Sequence, residues 1–314
     1  MKATLLVGVA ATIPFIIVSR IVQGEEGLAL ALVLVLSTFI LLSFFVYLHF
    51  HRKMKELKAR EQWHQERPQQ VSVDLKFREK KSVISNVWFI LPIIISIGTV
   101  FLTLTNYQSI PSQIPMKYNF SGEVTNWADK SYRSVLALPV VQLFITLLFL
   151  FINTLIAKAK QQIDSANPER SIQQSLVFRR RWSLFTLLTA IAMVLLFLFI
   201  QLSFIFPLNL QLLTIVPLLL TGVVVLGAIF LSFTTGQGGS RVKVVSGKEK
   251  QVINRDDDKY WKLGQFYFNP NDPAMFLEKR FGVGWTINMA NPLTWVIFVG
   301  IVGGAVVLPL WLMN

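Results

Sequence analysis

Apolar residues fall in long blocks separated by short polar stretches, and seven of these blocks lack Asp, Glu, Lys, Arg and His altogether. They occupy approximately 3–19, 28–48, 83–104, 134–157, 182–206, 210–233 and 293–313. A hydrocarbon core of about 30 Å is crossed by about 20 apolar helical residues, so each block predicts a membrane-spanning helix. The first is expected to be a retained span, since the stretch from Arg20 to Gly27 has no small-x-small cleavage pattern and the next block begins at once. The apolar stretch 182–233 would reach about 78 Å as one helix, so it must turn. Phe206-Pro207-Leu208-Asn209 supplies the break, because Pro removes a helical donor and Asn tolerates turn geometry.

The expected fold is an all-α integral membrane protein, a bundle of about seven transmembrane helices with a small cytoplasmic aromatic-rich module. Its parts are an N-terminal hairpin (1–48), a basic cytoplasmic loop (49–82), a four-span core (83–233) with an extracellular loop (105–133), a cytoplasmic linker and module (234–292) and a last span (293–314). Composition agrees, with 53% hydrophobic and only 15% charged residues among 314. The formal net charge of +13 would suggest nucleic acid in a soluble chain, but its distribution gives it another meaning. With the N-terminus inside, only Arg20, Lys117, Lys130 and Arg133 of the 30 basic residues fall outside. Lysine and arginine are retained in cytoplasmic loops, so the N-terminus is expected in the cytoplasm and the C-terminus outside, in a multi-pass plasma-membrane protein. The basic inner face suits anionic lipid headgroups, and no recognition motif points to nucleic acid. There are no cysteines, which removes disulfides, thiolate metal sites and thiol catalysis.

The inner loops carry few signals of chemistry. His49 and His51 sit two apart at a membrane edge, with His64 further on, and lack the i,i+4 spacing of a helical metal site. Asp256, Asp257 and Asp258 do not converge without a folded loop, so no metal or cofactor is expected. Residues 234–240, TTGQGGS, read as a flexible linker and lack the ending of a phosphate loop. Arg179-Arg180-Arg181-Trp182 reads as an interfacial anchor. Residues 255–292 alternate polar and aromatic positions too regularly for a linker. There 265–269 predicts a strand, 270–273 a turn, and 281–288 a second strand or loop.

Outside, the polar passage 106–133 gathers hydroxyls, amides, charges and aromatics between two spans. Ile114-Pro115-Met116-Lys117-Tyr118-Asn119, Gly122, Trp127 and Lys130, with the flanking spans, resemble the uncharacterised membrane domain at the amino terminus of SdpI-type immunity proteins of Gram-positive bacteria, over about 85–185. The resemblance implies protection against a secreted toxic peptide, or signalling of its presence. It makes Pro115, Lys117, Asn119, Gly122, Trp127 and Lys130 the candidate ligand contacts. Pro115 and Gly122 also suit a turn, and Trp127 an interface. Those proteins commonly carry His where Lys117 stands, which argues against an imidazole role here. A second passage, about 257–292, is similar to a short domain of unknown function at the carboxyl end of related membrane proteins. Its candidate residues are Tyr260, Trp261, Phe266, Tyr267, Asn269, Arg280, Gly282, Gly284 and Trp285.

The seven blocks hold no ionisable acid or base, so an intramembrane enzyme is not expected. Their polar groups are amides and hydroxyls such as Gln142, Asn153, Thr154 and Gln201, which suit helix–helix hydrogen bonds. The expected function is membrane immunity or sensing, with the bilayer, an extracellular peptide and a cytoplasmic regulator as partners. A small-solute transporter and a structural membrane partner are the alternatives.

Overall fold

The computed structural model describes residues 25–60, 82–119, 123–161, 167–244, 258–280 and 282–313, with residue 12. The predicted first span, His64, Gly122, Asp256 and Asp257 lie outside the described residues. Five helices among the described residues are long and apolar enough to cross a membrane, and a further apolar helix follows near the C-terminus. The chain divides into two compact units, Met1–Pro68 and Gln69–Asn314.

In the first unit, α1 (Glu25–Arg60) has 36 residues, about 54 Å of helix and more than one crossing requires. Its apolar stretch exposes Val33, Leu36, Ile40 and Phe45, as a lipid-facing helix does. The basic continuation holds helix through Arg60, and His51 stacks on Tyr47, ring centroids 5.9 Å apart.

The second unit has an alternating up-down order. Helix α2 (Ile90–Thr105) leads into a hairpin of β1 (Gln113–Tyr118) and β2 (Val124–Asp129), after which α3 (Tyr132–Lys158) runs back. Helix α4 (Pro168–Leu202) returns, α5 (Leu210–Thr235) descends beside it, and α6 (Pro292–Met313) ends the chain. Between α5 and α6 lies a module of four short strands, β3 (Trp261–Lys262), β4 (Phe266–Tyr267), β5 (Phe276–Glu278) and β6 (Trp285–Ile287), paired as two antiparallel ribbons. The predicted strand at 265–269 and the second at 281–288 are therefore present. The β1–β2 hairpin was not predicted, since the outer passage reads as turn chemistry. Among the described residues three two-stranded sheets accompany a mainly helical fold.

Buried amides and hydroxyls join the helices where apolar side chains alone would leave register loose. Gln142 Nε2 on α3 donates to Val194 O on α4 at 2.8 Å, and Gln201 Nε2 donates to Thr103 Oγ1 and Val135 O, both at 3.0 Å. Asn153 donates to Ile84 O at 3.0 Å and Asn86 Oδ1 at 2.8 Å, and accepts from Ser183 Oγ. Asn86 in turn donates to Thr154 Oγ1 at 3.0 Å. These are the helix–helix roles that the residue types predict, each worth roughly 0.6 kcal/mol on average in a bilayer. Helix α4 starts at Pro168, fourteen residues before the predicted span, because Asn167-Pro168 is a favourable start and the intervening charged turns are packed.

Candidate functional site

Two sites sit at opposite ends of the second unit. Helix α3 measures 27 residues, about 40 Å, from the hairpin at Tyr132 to the module at Lys158.

The hairpin is seated by apolar contact and by its flanks. Ile110 and Ile114 are buried with Val135 of α3 and Phe204 of the α4–α5 turn, and Met116 and Ile205 pack against them. Tyr107 and Tyr132 stack with centroids 4.4 Å apart at 12°. Lys130 Nζ lies 4.7 Å from the Tyr107 centroid and donates to Ile110 O at 2.7 Å. Ser131 and Ser134 form a capping box that starts α3. At the turn, Asn119 Nδ2 donates to Glu123 Oε2 and Asn119 Oδ1 accepts from Glu123 N–H, both at 2.8 Å. The Tyr118 hydroxyl is pushed above its ordinary value by burial, which the hydrogen bond with Ser203 partly offsets.

Of the outer candidates, Lys130 and Asn119 thus hold the hairpin in shape. Pro115 pairs across the ribbon with Trp127, and Lys117 with Asn126. The bulge at Met116 turns the ribbon locally. Trp127 is 52% exposed, and Lys117 and Asn126 are exposed beside it. Cross-strand pairing sets the Trp127 indole beside half-buried Pro115, while Asn126 next to it in sequence turns to the other face of the ribbon; the exposed indole, amide and cation are groups that suit an amphipathic ligand.

At the other end the module docks on α3 and α4 through a buried ionic site. Arg179 is fully buried, and the side chain of Glu278 on β5 is 4% exposed. Arg179 Nη2 donates to Glu278 Oε1 at 3.2 Å and Ala159 O at 2.8 Å, while Nη1 donates to Ile156 O at 2.7 Å. Ser175 Oγ donates to the same Glu278 oxygen at 3.3 Å. The guanidinium therefore satisfies orphan carbonyls at the end of α3 and neutralises the carboxylate at once, using the planar fork that lysine lacks. Arg179 is not the interfacial anchor read from the Arg-Arg-Arg-Trp run; its charge points inward because Glu278 meets it there.

A second clamp lies alongside. Lys160 N–H donates to Phe276 O at 2.8 Å, so residue 160 adds to the β5 edge, and Lys160 Nζ bonds Asp272 Oδ2. Burial pushes the Asp272 carboxyl up, but hydrogen bonds from Lys160, Ala274 N–H and Tyr267, with the attraction of the Lys160 charge, hold it below the ordinary carboxylate range. Tyr267 OH donates to Asp272 Oδ2 at 2.8 Å, and Asn288 Nδ2 bridges Asn269 O at 2.9 Å and Asp272 O at 3.0 Å.

The inner candidates divide by place. Trp261 and Tyr267 form the module core with Leu277, Tyr260 packs against it, and Asn269 is buried in the Asn288 network. Phe266 is half-buried on β4 and Arg280 is exposed beyond β5. The Trp285 ring lies against Phe178 of α4, centroids 5.2 Å apart and tilted at 42°. Gly282 and Gly284 take positive φ in the β5–β6 loop, and Gly284 N–H donates to Gln237 Oε1 at 2.8 Å. Gln237 belongs to 234–240, which is a packed turn and not the flexible linker its glycines suggest. Gln237 Nε2 also donates to Lys279 O at 3.0 Å, and Gly239 lies against the α4 backbone at Gln174.

Sequence reasoning passed over Glu278 and Lys160, read Arg179 as an anchor and placed Asp272 only in a turn. The signal for one of them was present, since Glu278 interrupts the strand-like run Phe276-Leu277 and an acid there needs a cation.

Two family profiles match the chain. A domain of unknown function, DUF1648, matches residues 89–143, which include α2, the hairpin and the first turns of α3. A family of unknown function, DUF5808, matches residues 270–295, the second ribbon of the module and the start of α6. No curated protein and no solved structure matches the chain.

Proposed function

We propose that this is a multi-pass plasma-membrane protein of immunity or sensing, in the manner of SdpI-type proteins, whose hairpin meets a toxic peptide or envelope ligand outside. The module, in the cytoplasm, docks a regulator or passes on occupancy. The observation that carries the reading is the path from one site to the other: α3 begins in the Tyr107–Tyr132 stack under the hairpin and ends beneath the Arg179–Glu278 dock. Ligand on the Trp127 face loads the start of the helix whose far end the module caps. A packed interior transmits such a displacement because its side chains do not deform freely.

Trp127→Ala tests this. An exposed aromatic at the centre of a small interface is worth about 2 kcal/mol, or about 30-fold in affinity. Cells carrying the variant at wild-type abundance are expected to become as sensitive to a membrane-active peptide as cells lacking the protein. If cells lacking the protein respond to a broad panel of such peptides as their parent does, in survival and in transcription, the reading fails.

A further inference from the structure

Helix α5 turns a broad apolar face outward, with Leu218, Leu219, Val223, Leu226, Phe230 and Phe233 all more than half exposed. On a membrane-spanning helix such a face is covered by acyl chains. At its last two turns the face carries an open, shallow groove of about 310 Å³, lined by Ala228, Ile229, Ser232 and Phe233 together with Arg241 and Val283 of the module. That volume is at the lower end of ligand sites.

Arg241 stands at the polar mouth of this apolar groove. One guanidinium N–H donates to Phe233 O at 2.8 Å, and the group lies 5.6 Å from the Phe233 ring centroid. A guanidinium has five N–H donors, so the contact that caps α5 also fixes a fork with donors to spare, the geometry that suits a phosphate. Arg181, exposed on α4, reaches the same helix end, its Nη1 donating to Thr235 Oγ1 at 3.4 Å, and Lys243 is exposed two residues beyond Arg241. None of the lining residues is acidic.

We propose that this groove binds an anionic phospholipid, its acyl chain along Ile229 and Phe233 and its phosphodiester on Arg241, with Arg181 beside it. Continuity with the lipid-facing surface of α5 provides the chain's path, and the cations at the mouth select charge. The lipid would thereby bridge α5 to the module loop through Val283.

The test uses the full chain purified in mild detergent, with native mass spectrometry reading retained phosphatidylglycerol against phosphatidylcholine. Wild type is expected to retain phosphatidylglycerol preferentially, and Arg241→Gln to lower that preference about fivefold, the worth of one cation at an anionic surface. Because Arg241 also caps α5, Ile229→Trp provides an independent arm. It fills the groove, leaves every charge in place, and is expected to lower retention of the anionic lipid as well. Lys262→Gln, on an exposed module residue, should change nothing, and excess inorganic phosphate should not displace the lipid. Equal retention of the two lipids by wild type, or unchanged preference in both groove variants, overturns the proposal, as does displacement by phosphate alone.

Discussion

Arg179→Ala is expected to lower stability by about 3–5 kcal/mol, the cost of leaving one partner of a buried ion pair without the other. Three losses coincide at this residue. Glu278 keeps its charge in a buried site, the Ile156 and Ala159 carbonyls at the end of α3 lose their donor, and the carboxylate oxygen that Ser175 also touches loses its cation. Arg179→Lys should recover only part of this, since an ammonium cannot span two carbonyls and a carboxylate in one plane. The double substitution Arg179→Met with Glu278→Leu should cost less than either single change, because it removes both charges together. Thermal unfolding in detergent, with limited proteolysis to report release of the module, measures these variants. A single variant within about 1 kcal/mol of wild type would mean that water reaches the pair, as it does exposed ones.

Gly239→Ala is expected to be as damaging, for a steric reason. The added Cβ would lie 2.1 Å from Gln174 O and 2.6 Å from its carbonyl carbon, atoms of the α4 backbone that cannot rotate away. Gly239 also takes φ of +84°, which disfavours any L side chain. Overpacking costs roughly 1–3 kcal/mol and a left-handed backbone roughly 1–2 kcal/mol, so the sum should come to about 2–5 kcal/mol and push the 236–241 turn off α4. Gly282→Ala separates the two terms. Its φ of +80° is similar, but a Cβ there meets nothing within 4 Å. It should therefore show the backbone cost alone, about 1 kcal/mol. Equal unfolding temperatures for the two variants would mean that Gly239 is not in tight contact with α4.

The contrast between these glycines also shows why some of the molecule was legible in its sequence and some was not. Spans are written locally, since twenty apolar residues in a row need no knowledge of their neighbours, and the helix cores of the second unit lie where the blocks predict them. The interhelical roles of Gln142, Asn153 and Gln201 follow equally from polarity at mid-span. Partners distant in sequence leave no such local trace. Arg179 and Glu278 lie 99 residues apart, so the run of three arginines gives no hint that one of them is buried. Residues 234–240 carry the composition of a linker, and only the proximity of Gln174 reveals that their glycines serve close packing. The outer hairpin was hidden for a further reason: Pro115 and the bulge at Met116 interrupt the alternation that marks a strand, although Ile114 and Met116 do face the bundle.

The proposed function depends above all on the hairpin facing outward while the module faces the cytoplasm. The chain has no cysteine, so single cysteines report this without background. Lys117→Cys on the hairpin and Lys262→Cys on the module both place a thiol at an exposed position. In intact cells treated with a membrane-impermeant maleimide, the account predicts labelling at position 117 at once and at position 262 only after lysis. Labelling of 262 but not 117 in intact cells would contradict it.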